Sequence, residues 1–66
     1  MKQRFEGTIE NVDYDLEIGY IKTTGGEEVI FNPSRTPVRF KDGDLVSFEI
    51  DRNNGELIAR GVKRAS

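Results

Sequence analysis

The sequence predicts an all-β protein, a small five-stranded antiparallel barrel. Three observations lead there. Apolar residues alternate with polar ones over short stretches instead of recurring at helical spacing. Seven glycines and two prolines punctuate the 66 residues too often for a long helix. Turn signals divide the alternating stretches into five, with one longer connection after the third. An open five-stranded sheet of this size would leave two unpaired edges, so a closed barrel is expected.

The first strand is expected over residues 4–12, with Phe5, Gly7 and Ile9 on one parity. The second covers 18–22, Ile18 and Tyr20 sharing one face and Gly19 and Ile21 the other. Thr24-Gly25-Gly26-Glu27 is a turn, because paired glycines accept the positive φ of tight hairpins. In the third strand, 29–32, Val29 and Phe31 oppose Ile30 and Asn32, so Phe31 is expected in the core. Pro33, Ser34, Thr36 and Pro37 form an irregular connection with one short helical turn, since proline cannot donate to a ladder. Asp42-Gly43-Asp44 turns into a fourth strand, 45–50, where Val46, Phe48 and Ile50 alternate with Ser47 and Glu49. Asn53-Asn54-Gly55 is the strongest hairpin signal, leading into a fifth strand over 56–63. No repeat, low-complexity segment or linker interrupts the chain. One domain is expected over 1–66, with its core in 4–63 and a frayed tail at 64–66.

Composition narrows the function. A domain of this length buries only about 60% of its unfolded surface, so its stability is modest. There is no cysteine, so disulfides and thiolate metal sites are excluded. There is no histidine, which removes the commonest general base and metal ligand. A 66-residue barrel also has little room for a catalytic pocket, and the expectation is a protein that is not an enzyme and needs no cofactor. With no membrane-length apolar run and no signal-peptide pattern, the chain reads as a soluble, cytoplasmic protein without a membrane partner. Ten Lys and Arg against twelve Asp and Glu leave a net charge of −2, which argues against coating duplex DNA by bulk electrostatics.

Several stretches taken together suggest a family. Gly7-Thr8-Ile9, Gly19-Tyr20-Ile21, Glu28-Val29-Ile30-Phe31-Asn32 and Gly43-Asp44-Leu45-Val46-Ser47-Phe48-Glu49-Ile50 resemble a cold-shock domain over roughly residues 7–63. The resemblance implies an OB-fold barrel. It further implies binding of single-stranded RNA or DNA through outward aromatic residues on two adjacent strands, with a role as RNA chaperone or regulator of transcription or translation. The scaffold positions match better than the contact positions. Leu16, Glu17 and Ile18 stand where the family usually has lysine, glycine and an aromatic residue. Ile30 and Asn32 replace an aromatic and a histidine, Pro33 stands where a further aromatic is common, Asn11 replaces a tryptophan, and Glu10 a lysine.

On this reading Tyr20 stacks on a base, worth about 1–3 kcal/mol. Ile18 and Ile30 pack beside it, and Asn11 and Asn32 offer amide donors and acceptors to base edges. Lys22, Arg39, Lys41 and Arg60 supply phosphate contacts, and Lys63 and Arg64 extend a basic rim. Each has a plainer interpretation: surface cover for Tyr20, strand ends for the asparagines, solvation for the cations. Tyr14 either flanks a base or covers the barrel's end. The alternate carboxylates of Asp13, Asp15 and Glu17 lack the context of a calcium loop and read as a solvated turn. A second reading keeps the barrel and uses an exposed patch of Ile18, Tyr20 and Ile30 for a protein partner or a homodimer.

Overall fold

The computed structural model describes residues 3–36 and 38–65. Its strands are β1 (Phe5–Asp13), β2 (Ile18–Thr23), β3 (Glu28–Phe31), β4 (Leu45–Asn53) and β5 (Glu56–Arg64). The short helical turn expected after the third strand is a single 3-10 turn, Pro33–Arg35. Pro37, expected to interrupt the same connection, lies outside the described residues. Among the described residues, no helix is long and apolar enough to cross a membrane.

The strands close into an OB-like barrel in the order β1-β2-β3-β5-β4. Four of its ladders are antiparallel. The fifth, which closes the ring, is parallel and holds a single pair, Ile30 opposite Ile58. Sequence alternation does not distinguish this pair from an antiparallel one, because side-chain parity is the same in both.

The inward parity carries the core: Ile9, Ile21, Val29, Phe31, Phe40, Val46, Phe48, Ala59 and Val62 are all buried. Phe31 is 2% exposed and meets Phe40 edge-on, ring centroids 6.5 Å apart. Gly19 makes that placement possible. It pairs with Phe31 across the β2–β3 ladder, and a Cβ there would stand 2.7 Å from the phenyl Cζ. The ring fills the space a side chain on β2 would otherwise take.

Two irregularities redirect side chains. In β1 the register against β2 shifts between Ile9 and Asn11, so Glu10 and Asn11 both face solvent and the half-buried Val12 packs on the core. In the β4–β5 ladder it shifts between Ser47 and Glu49, opposite Gly61, whose φ is +61°. The Arg4 guanidinium bridges this second bulge. It donates to the carbonyls of Ser47 (2.9 Å) and Gly61 (2.6 Å) and to the Ser47 hydroxyl, and pairs with Glu49 at 3.6 Å. The Asn53–Glu56 hairpin turns through Asn54 and Gly55, both at positive φ, as Asn-Gly demands. β5 runs one residue beyond its expected end, and the Ala65 N–H donates to the carbonyl of Leu45.

Substituting Gly19→Ala forces a methyl group into the Phe31 ring. A loss of about 1–3 kcal/mol is expected, read as a lower urea midpoint with unchanged m-value.

Candidate functional site

Residues of the outer face come together as their parity requires. Asn11 lies opposite Tyr20, Tyr20 opposite Ile30, and Ile30 opposite Ile58, a row across β1, β2, β3 and β5. Ile18 follows two residues before Tyr20 on the same face of β2. Tyr20, Ile18, Ile30 and Ile58 are half-buried, while Asn11 is exposed. Ile58 was not foreseen in this row, since the parallel register that brings it there has no local signal. The exposed large apolar side chains lie elsewhere, at Leu16, Val38 and Leu45. Ile18, Tyr20 and Ile30 lie together on the outer face, but each is half-buried rather than fully exposed.

The expected phosphate contacts do not converge. The ammonium of Lys22 lies 3.9 Å from a carboxylate oxygen of Glu10. Arg60 is ion-paired to Asp51, a diagonal neighbour across the β4–β5 ladder. The guanidinium of Arg39 sits 4.0 Å above the ring of Tyr14. Lys41 stands exposed beside Phe40, its backbone N–H donating to Asp44. Arg64 pairs with Asp44 at 3.3 Å and donates to the carbonyl of Arg39, and Lys63 is exposed on β5. Three of these six, Lys22, Arg60 and Arg64, are matched by carboxylates at their own edge of the barrel.

Asn32 leaves the sheet altogether. Its Oδ1 accepts the N–H of Ser34 at 2.9 Å and caps the 3-10 turn, a device Asn-Pro-Ser announces in the sequence. Tyr14 covers the barrel's end, its hydroxyl bonded to both the N–H and the carbonyl of Phe40. Asp13 accepts the N–H groups of Asp15 and Leu16, which makes the alternate carboxylates a turn. Among the described residues, no group of three acidic, histidine or cysteine side chains could hold a metal ion.

The second acidic cluster is Glu10 with Glu28, on neighbouring positions around Lys22. The Glu28 carboxyl is held above its ordinary range, first by a hydrogen bond with Glu10, then by burial and by repulsion from Glu10, with Lys22 opposing. This pair sets negative charge beside the row that was expected to meet a phosphate backbone.

A cleft of about 430 Å³ opens where β3 and β5 separate beyond Ile30 and Ile58, and a larger hollow of about 600 Å³ lies on the other side of Arg60 and Gly61, against Phe5, Glu49 and Asp51. In the cleft, Asn32, Arg35 and Thr36 form one wall, Ile58, Arg60 and Gly61 the other, and buried Phe31, Ala59 and Val62 line its inner side. Sequence reasoning found Asn32 and Arg60 but not that they share a cavity, and it missed Arg35 and Thr36, which sit in the irregular connection. The Thr36 hydroxyl is engaged by the carbonyls of Pro33 and Val38. Among the described residues, the guanidinium of Arg35 and the Asn32 amide nitrogen have no hydrogen-bond or ion-pair partner.

No protein-family model matches the chain, and no curated protein sequence matches it. Solved structures do. Apo-CusF from Escherichia coli, residues 6–88, is similar at 14% identity and a TM-score of 0.65, over 100% of this chain and 92% of that one. CusF with Ag(I) from the same organism, residues 10–88, is similar at 14% identity and a TM-score of 0.67, over 98% and 95%. The likeness is one of fold.

These findings correct the resemblance drawn from the sequence. Neither a family model nor a related sequence supports membership in the cold-shock family, and the barrel is shared with CusF instead. The short glycine and β-branched motifs reflect the demands of a small barrel. Single-stranded RNA or DNA falls as a partner, and with it the chaperone or regulatory role: the solved structures alike in fold are CusF, three of the six expected cations are ion-paired, Asn32 is a cap, and Glu10 and Glu28 flank the row. The protein partner or homodimer expected on Ile18, Tyr20 and Ile30 is not supported either, since the solved structures alike in fold are CusF with and without silver and the row itself is half-buried.

A raised carboxyl pKa has a definite sign. Stabilisation linked to the proton on Glu28 is fully present below the ordinary carboxylate pKa and is lost as pH rises through the raised value. Glu28→Gln is therefore expected to melt higher than the parent at pH 7, the difference closing below about pH 4 and shrinking in high salt. Thermal melts across that pH range check it.

Proposed function

We propose that this barrel is a non-catalytic binding module for a small ligand, seated in the cleft between β3, the 3-10 turn and β5. The observation that carries the reading is the cleft itself. Its 430 Å³ falls within the range of small-molecule sites. It combines apolar lining from half-buried Ile58, backed by buried Phe31, Ala59 and Val62, with the polar side chains of Asn32, Arg35 and Arg60. The fold comparison supports a small ligand over a polymer, because one CusF structure carries a silver ion on a barrel of this kind.

Silver itself does not fit this chain. A soft monovalent ion is held best by thiolate and thioether sulfur, with imidazole next. The sequence has no cysteine and no histidine, and its one methionine, Met1, lies outside the described residues. The cleft is lined instead by nitrogen donors. The non-catalytic part of the proposal rests on the same inventory. Nothing lining the cleft is a base or nucleophile at neutral pH, the arginines being protonated and the Thr36 hydroxyl engaged with backbone carbonyls.

Amide spectra of the labelled protein, recorded with a mixed fragment library and separately with silver nitrate, test the reading. Fragments are expected to move the amides of Phe31, Asn32 and Ala59–Val62, and silver to leave them in place. A library that moves no cleft amide overturns the proposal. Saturable one-to-one shifts with silver would replace it with a metal site.

A further inference from the structure

We infer that the ligand taken by this cleft is a small organic anion, a carboxylate on a flat apolar body, gripped by Arg35 and Asn32. This rests on the small-ligand reading above and goes on to name the ligand's chemistry. The chain carries twelve acidic residues and a net charge of −2, yet none of the residues lining the cleft is acidic. Its side-chain nitrogens are donors, and the Thr36 hydroxyl is committed to backbone carbonyls. Asn32 Oδ1 is engaged by the Ser34 N–H, so the amide end without a protein partner is its NH2. The 3-10 turn that this cap starts ends at Arg35, whose guanidinium is the cleft's uncompensated charge among the described residues. Arg60 opposite is held by Asp51, which fixes its side chain on the β5 wall and leaves Arg35 as the dominant attraction. A guanidinium fork matches a carboxylate in two parallel hydrogen bonds.

The inner side selects the rest of the molecule. The accessible apolar lining comes from half-buried Ile58, with only the edges of buried Phe31, Ala59 and Val62 behind it, and none of these side chains offers a donor or acceptor. A ligand that is all charge leaves that surface wetted, whereas an aromatic or short-chain acid covers it while its carboxylate stays at the rim. An anion with an apolar body therefore matches both halves of the cleft, and inorganic phosphate matches one.

Titrations with benzoate, benzamide and inorganic phosphate, followed by amide shifts, separate the possibilities. Benzoate is expected to move Phe31, Asn32 and Ala59–Val62 saturably, with benzamide and phosphate each at least about tenfold weaker. Arg35→Gln is expected to weaken benzoate by about tenfold or more and leave benzamide unchanged, while Arg35→Lys recovers part of the preference. Arg35 is exposed, and an unshifted spectrum of each variant away from the cleft shows that the barrel is intact. Equal binding of benzoate and benzamide at these amides overturns the anion inference while the small-ligand reading stands. Phosphate equal to benzoate overturns the apolar half of it. Silence from all three probes overturns the inference, and the fragment library then decides whether the small-ligand reading falls with it.

Discussion

Closure of the ring depends on one contact, the parallel pair of Ile30 and Ile58. Every other ladder is antiparallel and several residues long. Because β3 ends at Phe31 and turns away through the Asn32 cap, the last half of β5 has β4 on one side and no strand on the other. The cleft is the direct outcome. A longer β3 would zip the seam and fill it; a shorter one would leave an open sheet with two free edges. Gly19 acts on the same constraint from inside, since Phe31 can end β3 facing inward only because β2 has no side chain beneath the ring.

The charges are arranged to hold the outside of this ring, and they explain why a basic face does not emerge. Arg4 spans the β4–β5 bulge, Arg60 pairs along the same ladder, Lys22 answers Glu10, and Arg64 ties β5 to the turn before β4. Pairs this exposed contribute little stability each. Their larger effect is local, since each neutralises a charge at its own ladder or turn. Arg35, carried by the 3-10 turn, is among the cations left without an ion pair in the described residues, and it is the one of them that lines the cleft.

The sequence made the ladder interiors legible. Val29 and Phe31 declared their inward parity, Gly19 and Ile21 did the same on β2, and Asn53-Asn54-Gly55 marked its hairpin, because each of these is decided by neighbours one to four residues away. What decides the site is not local. The bulge at Glu10 turns Asn11 outward against the parity of Phe5, Gly7 and Ile9. The register that sets Ile58 beside Ile30 joins residues 28 apart, and Arg35 reaches the cleft through an irregular connection that no periodicity describes. Family motifs were misleading for a related reason: glycine at close approaches and β-branched residues on the pleat belong to small barrels in general.

The bridge made by Arg4 bears on how the molecule is assembled. Its partners Ser47 and Gly61 follow it by 43 and 57 residues. A ribosome delivering the chain in order must therefore hold the first strand unsatisfied on two flanks until nearly the last has emerged. The β1-β2-β3 meander can form early from local contacts, but its inner face has nothing to pack on before β4 and β5 arrive. Topologies of such long sequence separation fold in milliseconds to seconds, slower than a hairpin closes. The barrel is thus an all-or-none object in time as well as in energy, and its half-made form is the state that cellular quality control would meet.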